Sequence, residues 1–230
     1  MLATLVDTAY TSLGTAEETF RCCDTAFTVH ARGRNARAGV DAARRTAVAL
    51  EGALNAFAED SAVARLNRTG RVENEHVARI VRRALDYHER TDGVFDVRQG
   101  RVEHDLKAFI RGETDAFDAA FADGAVDVTG DTVTAAGALD LNGLAKGYVV
   151  DRAAEALVGL GRRGFVDGGG DIAHPSGPVA IESPYGDEKP IAVLDTDWNV
   201  ASSGATAGIG TASTTSTTRP RNASAPPTNS

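Results

Sequence analysis

Six apolar residues, Val40, Ala43, Ala47, Leu50, Leu54 and Phe57, recur at steps of three and four. That spacing is one face of an α-helix, and a helix of this length must bury the face against something. The preceding segment, TFRCCDTAFTVHAR (19–32), supplies a partner, because Phe27, Val29 and Ala31 alternate with polar neighbours at the period of a half-buried strand. The reading is therefore one or two antiparallel strands feeding a long helix. A second helix is expected over 75–90, with Val77, Ile80, Ala84 and Tyr87 on one face. Between the helices AEDSAVARLN (58–67) is too broken in pattern for a regular element and reads as a loop. GAVDVTGDTVTA (124–135) predicts a hairpin turning at Thr129-Gly130-Asp131. In 139–164 a short strand, a Gly-containing turn and a helix stopping at Gly159, Gly161 and Gly164 are expected. GFVDGGGDIAHPSG (164–177) reads as a strand entering a triple-glycine turn, and PVAIES (178–183) with PIAVLD (190–195) as a strand pair. The parallel-sheet alternation of a Rossmann domain is absent from this order of elements.

Charge narrows the partners. With 24 Lys+Arg against 32 Asp+Glu among 230 residues, the net charge of −8 would repel a phosphate backbone or an anionic bilayer. A local basic pocket for one phosphate ligand stays compatible with it. No run approaches 18 apolar residues, so no spanning helix is expected. The start, MLATLVDTAY, lacks the basic flank and unbroken apolar core of a signal peptide, which reads as cytoplasmic. Adjacent Cys22 and Cys23 fit a reducing compartment or core packing better than a disulfide framework. Composition changes abruptly near residue 200: Ala, Ser, Thr, Gly and Pro fill 25 of the last 30 positions, and no Asp or Glu is among them. Such a segment buries too little apolar surface to offset its ordering entropy. The expected organisation is one domain over 1–200 and a low-complexity tail without fixed structure over 201–230.

Few segments carry chemistry. In LDLNGLAKGYVVD (139–151) Gly143 and Gly147 bracket Ala145 and Lys146, so a backbone able to approach a ligand, a helix N-terminus and one mobile cation coincide. The GxxxxGK[ST] spacing of a phosphate loop is missing, and an ordinary strand–turn–helix with a surface lysine accounts for the segment equally well. FVDGGGD (165–171) offers a second candidate cradle in Gly169 and Gly170, with Asp171 placed to orient a hydroxyl or ring nitrogen; a tight turn closed by an Asx interaction is the plainer alternative. ERTDGVFD (89–96) sets Asp96 after an aromatic beyond a helix end. The five histidines lack metal-binding spacing, and neither a GxSxG elbow nor a GxGxxG turn occurs.

In order, SLGT (12–15), a strand, a helix ending ALNAFAEDSAVARLN, a helix ending ERTDGVFD, then DLNGLAKGYVVD, VDGGGDI and NVASSG resemble the ApbE family of FAD:protein FMN transferases over roughly residues 12–204. The resemblance implies a T-fold-like α+β domain with antiparallel sheets packed against helices and an FAD cleft between subdomains. It also implies a Mg²⁺-dependent enzyme that cleaves FAD and passes FMN to a Ser or Thr hydroxyl of a target flavoprotein, releasing AMP. By the family pattern the Ala145 carbonyl is a metal ligand, Lys146 and Tyr148 lie near the dinucleotide, and Asp96 bonds the adenosine. Thr15, Asn55, Ala56 and Phe57 then line the cleft, Gly169, Gly170 and Asp171 shape its other side, and Ser202 and Ser203 occupy the family's (T/S)SG. The HIIDPxTG- and DAxxTA-type segments that would supply the remaining ligands and the catalytic aspartate are not in this sequence, so the catalytic residue is unassigned. The expectation is a transferase impaired in this chain, with an FAD-binding relic of the same fold and a structural domain as alternatives.

Overall fold

The computed structural model describes residues 14–116, 122–160, 163–174, 178–181, 183, 190–196, 198–203 and 214–218. The chain divides into two compact units, 1–47 with 150–230 and 48–149, the second being an insertion between two arms of the first.

In the first unit β1 (Thr15–Cys22) and β2 (Thr25–Arg32) pair antiparallel from Thr15↔Arg32 to Cys22↔Thr25. The alternation read from the sequence holds, because Phe27, Val29 and Ala31 are fully buried while their neighbours are not. Helix α1 (Ala36–Leu54) follows. Its Ala36, Val40, Ala43 and Ala47 are buried, and its Arg37 and Arg44 bond Glu18 of β1. The chain returns to this unit within the last long helix and adds β6 (Arg163–Gly168) beside β2 and β7 (Asp171–Ala173) beside β6. β8 (Val179–Ile181) and β9 (Ala192–Leu194) form a separate antiparallel pair. β10 (Asn199–Ser203) pairs with β7 and with β11 (Thr214–Thr218), completing a six-stranded order β1-β2-β6-β7-β10-β11. These two strands are what is described within the low-complexity tail; its other residues lie outside the described ones.

In the second unit α2 (Ala62–Thr69) and β3 (Arg71–Glu73) precede α3 (Glu75–Arg90), a 3₁₀ turn (Val97–Gln99) and α4 (Gly100–Ile110). β4 (Val126–Thr129) and β5 (Thr132–Ala135) form the expected hairpin, and β5 is central in the order β3-β5-β4. α5 (Asn142–Gly159) ends at the first of the expected glycines.

Three local expectations are corrected. Residues 62–69 are helical, not loop: Ser61 caps them by accepting from the Ala64 amide at 2.9 Å, and Ala62, Val63 and Leu66 are buried. Two turns hold too few apolar positions to display a period. Phe57 leaves the long stripe, since α1 ends at Leu54 and the Asn55 carboxamide accepts from the Phe57 amide, turning the chain and leaving Phe57 63% exposed. The short strand and Gly-containing turn expected between Leu139 and the helix do not form: α5 begins at Asn142, so Gly143, Ala145, Lys146, Gly147 and Tyr148 all lie in its first two turns. The cause is Asp140, whose carboxylate accepts from the Asn142 amide at 2.7 Å and starts the helix early.

Candidate functional site

Within the second unit a cavity of about 590 Å³ is lined by Gly93–Val97, Gln99, Ala122, Asp123, Asp140, Asn142 and Gly143. Its size is that of a small-molecule site. Backbone geometry makes its floor. Asn67 holds Leu139 at both ends, donating to its carbonyl at 3.0 Å and accepting from its amide at 2.9 Å, while the Asp140 amide donates to the Val97 carbonyl at 2.8 Å. A Cβ at Gly100 would stand 2.7 Å from the Leu139 carbonyl carbon, so only glycine lets the 97–100 turn lie against this segment.

Asp96 anchors one wall. Its carboxylate accepts from the Arg98 amide at 2.9 Å and from the Arg98 guanidinium in a fork of 2.8 and 2.7 Å, and Gln99 donates to it at 3.0 Å. Gln99 also brackets Ala122, donating to its carbonyl at 3.0 Å and accepting from its amide at 3.1 Å. The His88 ring completes the brace. Its Nε2 stands 3.0 Å from the Arg98 guanidinium, which can only donate, and its Nδ1 stands 3.0 Å from the Phe95 carbonyl. Burial alone would push the Asp96 carboxyl up, but the hydrogen bonds from Arg98 and Gln99 and the guanidinium charge outweigh it and hold the pKa at about 2. The cavity therefore presents acceptors, with Asp123 and Asp140 beside an already paired Asp96.

Of the residues that the family pattern marks as FAD or metal ligands, Asp96 alone lines this cavity, joined by Gly143 from the DLNGLAKG segment. Asn55, Ala56 and Phe57 sit in the turn after α1. Tyr148 is 7% exposed and its hydroxyl is 2.9 Å from His76 Nδ1, so it ties α5 to α3. In the first unit Gly169, Gly170 and Ser202 come together, as the Ser202 amide and hydroxyl both donate to the Gly170 carbonyl at 2.9 and 3.1 Å. Asp171 stands in β7 opposite Ala201 of β10, and the Ser203 side chain lies outside the described residues. Thr15 is remote, at the far end of the hairpin from Thr25, which packs on Gly169. Sequence reading missed Arg98, Gln99, His88 and Asn67. A signal existed for one, because Asp96 and Gln99 have the spacing of a helix-capping box.

The residue pattern across 23–210 matches the ApbE family. This chain belongs to that family. No curated protein matches its sequence. Among solved structures, the ApbE protein from Thermotoga maritima superposes with a TM-score of 0.68 at 22% identity, over 83% of this chain and 71% of that one. The flavin transferase ApbE from Vibrio cholerae gives 0.67 at 17%, over 87% and 74%. The flavinyl transferase ApbE of Pseudomonas stutzeri, in its apo form, gives 0.65 at 19%, over 84% and 70%. The α+β fold with antiparallel sheets is thus the fold of ApbE structures.

Proposed function

We propose that this chain is a flavin transferase that binds FAD and passes FMN to a Ser or Thr hydroxyl of a target flavoprotein, releasing AMP. Family membership gives the reaction class, and the braced cavity of the second unit carries the substrate reading. Its acceptors suit the donors of adenosine, the exocyclic amine and the ribose hydroxyls, and they repel a bare phosphate. The adenosine half of FAD therefore belongs here. Lys146, in the second turn of α5, is a cation of this unit suited to the adjoining pyrophosphate. No helix of the described residues is long and apolar enough to cross a membrane, and a cytoplasmic location is part of this reading.

Mg²⁺, which the family pattern brings with the Ala145 carbonyl as ligand, does not fit what is described. Ala145 lies inside α5, where a carbonyl faces the amide four residues on, and among the described residues no three carboxylate or imidazole groups converge. No step is assigned to the ion. That placement of Ala145 favours a second reading, a chain that binds FAD without transferring FMN.

The test is a fluorescence titration with FAD and FMN followed by measurement of AMP release in the presence of Mg²⁺ and an acceptor protein. FAD should bind at least tenfold tighter than FMN, and AMP should compete with FAD. Equal affinities would remove the adenosine reading. Binding with no AMP released would select the second reading over transfer.

A further inference from the structure

The first unit carries a pair of thiols that the proposed reaction does not use. Successive side chains of a strand point to opposite faces. β1 ends at Cys22, however, and the register Cys22↔Thr25 leaves Cys23 and Asp24 as a two-residue turn with φ of 51° and 58°, both left-handed. Such turns favour Asn, Asp and Gly, and a cysteine has no conformational reason to be at this first position. One consequence of the turn is that the Cys23 side chain swings back beside that of Cys22, and the two Sγ atoms stand 3.8 Å apart. Two thiolates on one trivalent, pyramidal centre, with bonds of about 2.3 Å nearly at right angles, stand roughly 3.3–3.4 Å apart, so the pair lies within about half an ångström of the chelating separation. Cys22 is 1% exposed and Cys23 half-buried, so the pair has a packed inner sulfur and an outer one reachable from solvent.

We infer that Cys22 and Cys23 form a vicinal dithiol site that chelates one soft, thiophilic centre of the trivalent arsenical class. With an organoarsenic oxide two As–S bonds form. The oxide oxygen leaves as water with both thiol protons, and arsenic stays trivalent throughout. The turn already holds the sulfurs side by side at 3.8 Å, and closing them by about half an ångström takes a small rotation of the half-buried Cys23 side chain rather than a backbone rearrangement. Asp24 is fully solvated and pairs with the exposed Arg21 at 3.8 Å, so neither residue closes the outer side.

The probe is phenylarsine oxide added to the reduced full chain. Intact-mass measurement should give one phenylarsenic per chain with both thiols blocked toward a thiol-specific dye. The adduct should survive excess monothiol and be stripped by a dithiol such as 2,3-dimercaptopropanol. Cys23→Ser, at the half-buried position, should fold as the parent does and lose its adduct to monothiol at least 100-fold faster. Cys22→Ala should do the same, which guards against a folding defect in either variant alone. Two arsenicals per chain, or an adduct as labile to monothiol in the parent as in Cys23→Ser, would overturn the inference.

Discussion

The glycine run of the first unit and the acidic wall of the second unit are alike in sequence, as short polar motifs next to a regular element, and they differ in what surrounds them. Around Gly168–Gly170 the space is already filled by the protein itself. A Cβ on Gly168 would strike Val150 and come within 2.8 Å of Phe27, one on Gly169 would strike Thr25, and one on Gly170 would strike Ser202. Around Asp96 the polar groups are braced against one another beside open volume. Glycines crowded by their own chain explain themselves. Charged groups held rigid around a cavity do not, and it is there that a ligand is to be sought.

The largest effect that could break this comparison belongs to Gly168→Ala. Val150 and Phe27 are buried at 2% and 0% exposure, so the added methyl has nowhere to go. Overpacking of this kind costs about 3 kcal/mol at its upper range. For a chain of this size that lowers the melting temperature by roughly 6–12 °C. AMP affinity, read by calorimetry, should stay within twofold of the parent. A variant that melts normally but loses AMP would mean that the glycine run serves a ligand after all.

Much of this architecture was legible because long periodic elements carry their own signal. The 75–90 helix and the 124–135 hairpin appear where the spacing puts them, and the alternation at Phe27, Val29 and Ala31 marks β2, whereas β1 starts at Thr15, before the segment read as strand. Short elements did not announce themselves, α2 because its identity rests on the Ser61 cap, and the start of α5 because Asp140 decides it. The site was less legible than the fold. Asp96 stood out as an acidic residue after a helix, and its partners Arg98 and Gln99 lie only two and three residues on, but the surroundings of the cavity arrive by contact: Asn67 meets Leu139 across 72 residues and Gln99 meets Ala122 across 23. Nothing local in the sequence encodes such pairings.

Acid titration sharpens the other side of the comparison. The Asp96 carboxyl sits near 2 in the folded chain against an ordinary 3.8, a depressed value, so the stability it contributes is fully present above pH 4 and is lost as pH falls from about 4 through about 2. The shift corresponds to about 2 kcal/mol. Urea unfolding followed across that window should show the loss in the parent, and Asp96→Asn, which cannot titrate, should lack that increment. Arg98→Ala should behave like Asp96→Asn below pH 4 while being the less stable chain at neutral pH, because it leaves a carboxylate only 14% exposed without its main partner. Identical acid profiles for parent and Asp96→Asn would show that the brace does not hold the cavity wall.

The smallest expected effect on stability is at Gly143, and it inverts the Gly168 case. Gly143 lies in the first turn of α5 with no left-handed backbone, and the nearest atom to an added Cβ is Phe95 Cε2 at 3.2 Å, on an aromatic ring that itself lines the cavity. Alanine in a helix gains up to about 1 kcal/mol over glycine. Displacing the Phe95 ring by a few tenths of an ångström offsets part of that gain, so Gly143→Ala should melt within about 3 °C of the parent, a net change below about 1 kcal/mol. Under the proposed adenosine reading the purine packs beside this ring, so AMP binding should weaken severalfold by the same calorimetry used for Gly168→Ala. One glycine variant would then change stability and spare binding, and the other would change binding and spare stability. If Gly143→Ala instead binds AMP as the parent does, the wall formed by Phe95 is not in contact with the ligand, and the adenosine must be placed against the Gln99 and Asp123 side of the cavity.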